Sequence, residues 1–538
     1  MAKKSLGVMI DMSRNAVMTI DSLKRFLKIL KRMGYNTVLL YMEDTYEVEG
    51  EGYFGYMRAK YSIDEMKEID SFCTEIGMEA IPCIQTLAHL KTYFKWGQAE
   101  VDCQDILLVE SERTYELISN MFKTLSSCFR SRKIHIGMDE AHMLGRGEYL
   151  ARNGFKSSGE IIKAHLEKIC RLAKPYGYQL LLWSDMFFRS WNNGEYYFNQ
   201  YVKAPKEALE ALPGDVLPVY WDYYSDTEQK YDVMIKMHKQ LSSQVWFAGG
   251  AWSWAGFAPL NGLSVRLMKE AMLACRKNKI DNIFITMWGD DGMECSHFSQ
   301  LPALMSIAEY AKGNFDDEKI KAKFKRQIGI DYDEFMRVDL PNYLPNQPSY
   351  AEAPSKYMLY SDPFLGFLDY TAVNGADKIY AKHQAELLCV AQKTRKYGYV
   401  FSTLAALCSA LEIKHSLGVR TREAYKSKSK EELLRLVDDY AETQKRIRKF
   451  HRALFTQWER DNKPCGFEVQ DARLGGLIMR LETCKNRLRD FANGKIDKIE
   501  ELECDILPLP FSNAPKGTPI DYGSYGRIVT ANVLTQSM

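Results

Sequence analysis

Asp139 and Glu140 stand side by side at the end of the run Lys133-Ile134-His135-Ile136-Gly137-Met138. Two carboxyls sharing a pocket favour one ionised and one protonated form, because each charge opposes the other's ionisation. Such a pair suits general acid and base work at an oxygen leaving group. Successive strand residues point to opposite faces, so both can reach one ligand only if the strand ends there and the chain turns. Without its surroundings, an Asp-Glu pair is as readily a helix N-cap with a first-turn charge.

Eight short apolar or β-branched runs must position that pair. They lie at about Gly7 to Ile10, Thr37 to Met42, Glu79 to Ile84, Lys133 to Met138, Gln179 to Trp183, Val216 to Trp221, Val245 to Ala248 and Asn282 to Met287. Between the first two, Leu23, Phe26, Leu27, Leu30 and Met33 recur at helical spacing after Asp21, with Gly34 as a stop. Ser62 with Glu65 forms a capping box that opens the next helix. Alternating strand and helix units of this number predict an α/β fold, a TIM (β/α)8 barrel, whose site is built from the segments that follow the strands.

Just past the runs stand Asp11 and Arg14, Glu43 and Asp44, Gln85 and His89, Asp139 and Glu140, Trp183 and Asp185, Trp221 and Tyr223, Trp252 and Trp254, and Trp288 and Asp290. Five of the nine tryptophans fall in this set, where core packing alone would place them in strand interiors and on helix faces. Flat apolar surface beside carboxylates suits a sugar, with its apolar faces and hydroxyl edges.

A net charge of +2 leaves no electrostatic footprint for nucleic acid or an anionic membrane, so a small neutral ligand is expected. The start is too short in apolar residues for a signal peptide, and no apolar run reaches membrane-spanning length. The twelve cysteines are scattered without a CxxC pair, which predicts reduced thiols in a cytoplasmic protein and no metal site.

After residue 315 the character changes. We read residues 1–315 as the barrel, 316–370 as a connecting region that includes a Pro-, Asn- and Tyr-rich stretch from Pro341 to Pro354, and 371–538 as a mainly α-helical C-terminal domain. Long helical patterns run from about 372 to 416, 428 to 460 and 470 to 496. In the second, Leu433, Val437, Tyr440, Ile447 and Leu454 follow heptad-like spacing with Gln444 and His451 in register, which fits an intrachain bundle or a homodimer seam equally. The segment Lys463 to Glu468, followed by Asp471, Arg473 and Gly475-Gly476, reads as a loop and a close helix contact able to reach a neighbour's pocket. The tail from Tyr522 to Thr530 reads as a terminal strand or an extended arm.

His135-x-Gly137-x-Asp139-Glu140 resembles the HxGxDE signature of glycoside hydrolase family 20, the β-N-acetylhexosaminidases, and lies after the fourth run. Asp11-Met12-Ser13-Arg14 is similar to the family's DxxR, Pro82 to His89 to its PxxDxxxH with Gln85 in place of aspartate, and Trp288-Gly289-Asp290 to its WxE with Asp for Glu. The resemblance, closest to a compact intracellular branch, implies an exo-acting, retaining enzyme that releases terminal N-acetylglucosamine or N-acetylgalactosamine from a small glycan, with no cofactor or metal. The substrate's own acetamide oxygen would attack the anomeric carbon. It also implies Glu140 as the general acid with a raised pKa, Asp139 as the anion that orients the acetamide, and Tyr223 or Tyr224 as the hydroxyl on its oxygen. Arg14, His89, Gln85, Glu43, Asp290, Trp183, Trp221, Trp252 and Trp288 would bind the sugar. Asp44, Asp185, Asp291 and Glu294 are further candidates for its hydroxyls. His135 reads as a hydrogen-bonded core histidine and Trp254 as packing. The rivals are a non-catalytic sugar-binding barrel and a glycosidase for a modified hexosamine.

Overall fold

A computed structural model describes residues 4–344, 353–507 and 524–533. The first three residues, the middle of the Pro-rich connection and the beginning of the Tyr-Gly tail lie outside the described residues. Eight parallel strands close a barrel: β1 (Ser5–Asp11), β2 (Thr37–Tyr41), β3 (Glu79–Cys83), β4 (Lys133–His135), β5 (Gln179–Trp183), β6 (Leu217–Trp221), β7 (Trp246–Gly250) and β8 (Asn282–Met287). β8 pairs with β1 in register from Ser5↔Asn282 to Ile10↔Met287, which closes the ring. Every position of β2, β6 and β7 is buried, as parallel strands covered on both faces require. Aromatics fill the interior, where Phe284 meets Trp183 and Trp246. Gly7 makes room for them, since a Cβ there would stand 3.2 Å from those of Phe284 and Thr37.

The predicted fourth strand is shorter than its apolar run. Gly137 (φ 72°), Met138 (φ 73°) and Glu140 (φ 52°) take left-handed backbone, which ends the ladder at His135 and swings the chain across the barrel mouth. The turn leads into no helix before Glu148, so the acidic pair caps none. A short hairpin, Val101–Cys103 with Ile106–Leu107, adds an unforeseen wall to the loop after β3.

The helices α1 (Ile20–Met33), α2 (Ile63–Glu75), α3 (Glu112–Cys128), α4 (Ser158–Ala173), α5 (Lys206–Ala211), α6 (Glu228–Leu241), α7 (Asn261–Lys277) and α8 (Leu301–Lys312) surround the strands. α1 starts just before Asp21, with Thr19 accepting the Ser22 amide, and stops at left-handed Gly34. Both hydrogen bonds of the Ser62–Glu65 capping box are present.

Beyond the barrel the first long helical pattern is two helices, α9 (Ala376–Lys393) and α10 (Gly398–Ser427). The chain reverses so tightly that a Cβ at Gly398 would lie 2.6 Å from the Ala391 carbonyl oxygen. α11 (Lys430–Asp461) and α12 (Glu468–Ala492) follow. The heptad-like residues of α11 are buried, Gln444 donates to the Ile478 carbonyl (2.9 Å) and His451 lies 2.6 Å from Asp471, so this seam is filled by the chain's own α12. The Lys463 to Glu468 loop packs against the barrel of its own chain. Lys463 binds Glu65 (2.6 Å), and a Cβ at Gly466 would lie 2.7 Å from the Asn15 carbonyl oxygen. Gly475 and Gly476, by contrast, face open space and serve no close contact. The described part of the tail is a helical turn, Tyr525–Ile528, rather than a strand, and the Tyr525 amide at its start donates to Asp291 (2.7 Å). The twelve cysteines are unpaired thiols, and among the described residues no helix is long and apolar enough to cross a membrane.

Candidate active site

The strand ends of the C-terminal face surround one cavity of about 160 Å³. From the loop after β1, Arg14 makes a two-pronged ion pair with Glu43, at 3.0 Å on each prong. Asp11 binds Ser13 and the Gly289 amide (2.9 Å), tying the first loop to the last. Burial raises the Glu43 carboxyl, and the Arg14 guanidinium offsets part of that rise. Glu43 also accepts from the Tyr41 hydroxyl (3.1 Å), and Tyr41 accepts in turn from Gln85 Nε2 (2.9 Å).

Asp139 and Glu140 converge on this cavity. Asp139 Oδ1 accepts from Gln85 Nε2 (2.8 Å), while its Oδ2 lies 3.3 Å from His89 Nε2, with Glu140 Oε2 3.9 Å from the same nitrogen. Burial disfavours charge on His89, yet Asp139, backed by Glu43 and Glu140, pushes the imidazole up to about 10. Burial likewise opposes the Asp139 anion, but the His89 cation and the Gln85 hydrogen bond outweigh it and hold the carboxyl below its ordinary range. The Asp139 side chain is 13% exposed and Glu140's 46%, so the anion lies deep and the second carboxyl stands at the mouth. The Glu140 amide donates to buried Asp185 (3.1 Å), whose carboxyl is pushed up to about 7 by burial and by the Asp139 charge.

The opposite wall is aromatic. Trp183 lies against His135 at 4.4 Å, Tyr223 stacks on Trp221 at 5.5 Å, and Tyr224, Trp254 and Trp288 complete the lining. Asp290 joins them; burial pushes its carboxyl up to about 7 although Arg14 opposes the rise.

Of the residues predicted from sequence, Arg14, His89, Asp139, Glu140, Trp183, Trp221, Tyr223, Tyr224, Trp288 and Asp290 line the cavity. Gln85, Glu43 and Trp252 stand behind it. The two tryptophans of the seventh strand end exchange places. Trp252 donates to the Tyr223 carbonyl (3.1 Å) and is pinned below Trp254, which stacks on it at 4.3 Å and faces the cavity. His135 is buried and neutral, pushed down to about 3 by burial, with Nδ1 accepting the Gly137 amide. Asp44 is bound by Arg58, and Asp185 by the Glu140 amide. Asp291 and Glu294 receive Lys356 (2.9 and 2.7 Å) and Arg473 (3.1 Å each), so they tie the last barrel loop to the helical region rather than facing a ligand. Tyr41 lines the cavity unforeseen; its place as the last residue of β2 was the available signal.

Among the described residues, one trio, His89, Asp139 and Glu140, brings ligand-type atoms within 4.8 Å of one another.

Residues 6–230 match the description "Glycosyl hydrolase family 20, catalytic domain", and residues 333–519 match "Glycoside Hydrolase 20C C-terminal domain". The chain belongs to glycoside hydrolase family 20. It is 25% identical to Hexosaminidase D of Homo sapiens over 343 residues, covering 58% of this chain and 66% of that protein. The Bos taurus Hexosaminidase D is 26% identical over 253 residues, with 44% and 66% covered. The chain therefore spans just under two thirds of the length of these curated relatives. A crystal structure of a Vibrio harveyi GH20 exo β-N-acetylglucosaminidase, in complex with N-acetylglucosamine, aligns with a TM-score of 0.48 at 14% identity, over 63% of this chain and 59% of that one.

Proposed function

We propose that this family 20 chain is an exo-acting, retaining β-N-acetylhexosaminidase that takes one terminal hexosamine of a small glycan. The observation that carries the reading is the unequal setting of the two adjacent carboxyls. Asp139 is held as an anion by His89 and Gln85 deep in the cavity, and Glu140 stands at its open mouth. A leaving oxygen at the mouth meets Glu140 as the proton donor, and water later returns along the same path with Glu140 as base. An acetamide lying over Asp139 has its N–H oriented and the positive charge of the cyclic intermediate matched. Tyr223, buried beside Trp288 and Thr286, suits the acetamide oxygen better than Tyr224, which is 55% exposed. A cavity with room for one sugar supports exo action. The twelve unpaired thiols support a reducing, cytoplasmic setting.

Hydrolysis of an aryl β-N-acetylglucosaminide and of its galacto counterpart tests this. Wild type turns over at least one of them, a thiazoline mimic of the intermediate inhibits it, and Glu140→Gln loses about 100-fold or more in kcat. Saturable N-acetylglucosamine binding with no turnover selects the binding-only barrel instead.

A further inference from the structure

Gln85 is fully buried and does not line the cavity, yet every hydrogen-bonding group it carries is used. Its amide nitrogen donates to Asp139 Oδ1 (2.8 Å) and to the Tyr41 hydroxyl (2.9 Å), and its carbonyl oxygen accepts the Met138 amide (3.2 Å). The Met138 amide belongs to the left-handed turn that aims the acidic pair. Gly137 is shaped to the same side chain, since a Cβ there would fall 2.0 Å from Gln85 Oε1.

From this contact set we infer that Gln85 is a positioning residue: its neutral amide braces the 137–140 turn and presents Asp139 to the substrate as an anion, without touching the substrate itself. The inference rests on the role proposed above for Asp139. A carboxylate at position 85 has no proton to donate to Asp139 or Tyr41 unless it binds one, and would place a second negative charge against the first. An apolar side chain would leave Asp139 Oδ1 and the Met138 amide without that partner.

The titratable groups around Asp139 define what such a change must act against. His89 faces it from the β3 loop and, among the described residues, is the one cation within 4 Å of its carboxylate. Cys83 on the same strand, Tyr41 on β2, Asp185 after β5 and Tyr223 after β6 all feel its charge, as does His135 below it. Glu140 is its chain neighbour. Two guanidinium groups also act on this set, Arg14 on Tyr41 and Arg189 on Asp185 at 3.5 Å, but Arg14 is paired with Glu43 and Arg189 with Asp185, so an added carboxylate would compete for cations already engaged.

Two variants and two kinetic parameters test this. In Gln85→Glu one proton is shared between position 85 and Asp139, so the acid limb of the kcat/KM profile for the aryl substrate moves up by at least one pH unit. The loss relative to wild type is then larger at pH 5 than at pH 8. In Gln85→Met, which adds no charge, kcat falls about tenfold or more while KM stays within threefold and the acid limb stays in place. An acid limb in Gln85→Glu coincident with that of wild type, or a Gln85→Met loss confined to KM, overturns the proposal. Should Gln85→Glu fail to fold, the kcat and KM split in Gln85→Met decides alone. Wild type without turnover would instead overturn the activity reading.

Discussion

The two halves of the barrel mouth are built from different chemistry. From β1 to β4 the strand ends carry Arg14, Glu43, Gln85, His89, Asp139 and Glu140, joined by hydrogen bonds and ion pairs into one network. From β5 to β8 they carry Trp183, Trp221, Tyr223, Trp254 and Trp288, joined by ring contacts. Left-handed non-glycine backbone is more frequent on the polar side, at Asn15, Glu43, His89, Met138 and Glu140, than on the aromatic side, at Asn193, Asp290 and Met293. Such conformations cost roughly 1 kcal/mol or more each and persist only where the surroundings over-determine them. Directional groups need that enforcement, whereas ring faces tolerate small displacements. A pyranose has the same division, with hydroxyls on its edge and C–H groups on its faces.

This contrast is broken most severely on the polar side. Arg14→Met strips Glu43, whose side chain is 1% exposed, of its cation. It should lower kcat/KM by about 100-fold and destabilise the fold by about 2 kcal/mol, read from kinetics and from urea melts. The aromatic side should respond differently. Trp254→Ala raises KM about tenfold with kcat nearly intact, as loss of a binding face predicts, while buried Trp252→Ala costs about 3 kcal/mol of stability. A Trp254→Ala variant losing kcat at constant KM would erase the distinction. The smallest effect is expected at Asp290, a carboxyl that lines the cavity beside Trp288. Its pKa near 7 makes it neutral below that pH, so Asp290→Asn should match wild type at pH 6 and fall about threefold behind at pH 8, where the native group is ionised. A gap that is wider at pH 6 would reverse the assignment.

The barrel was legible because each strand is an apolar run and each connection carries its own start and stop, such as Ser62 with Glu65 or Gly34. The acidic pair was legible because short spacing encodes local chemistry. What escaped depends on partners distant in the chain. Nothing near Gln85 announces that Gly137 and Met138 will close around its amide. Trp252 and Trp254 are distinguished by a carbonyl on the preceding strand end. Asp291 and Glu294 resemble any other acids past a strand until Lys356 and Arg473 reach them, from 65 and 182 positions beyond Asp291 and from 62 and 179 beyond Glu294. The break between α9 and α10 was marked only by the short polar stretch from Gln392 to Lys396 and by Gly398, a local interruption inside one long helical pattern.

The four-charge cluster of Asp291, Glu294, Lys356 and Arg473 has a practical consequence. Lys356 and Glu294 are almost completely withdrawn from water. A fragment cut after α8 would leave both acids without counterions beside the rim tryptophan Trp288. The excised barrel should therefore be a poor expression product, and the intact chain should melt as a single cooperative unit rather than in two steps.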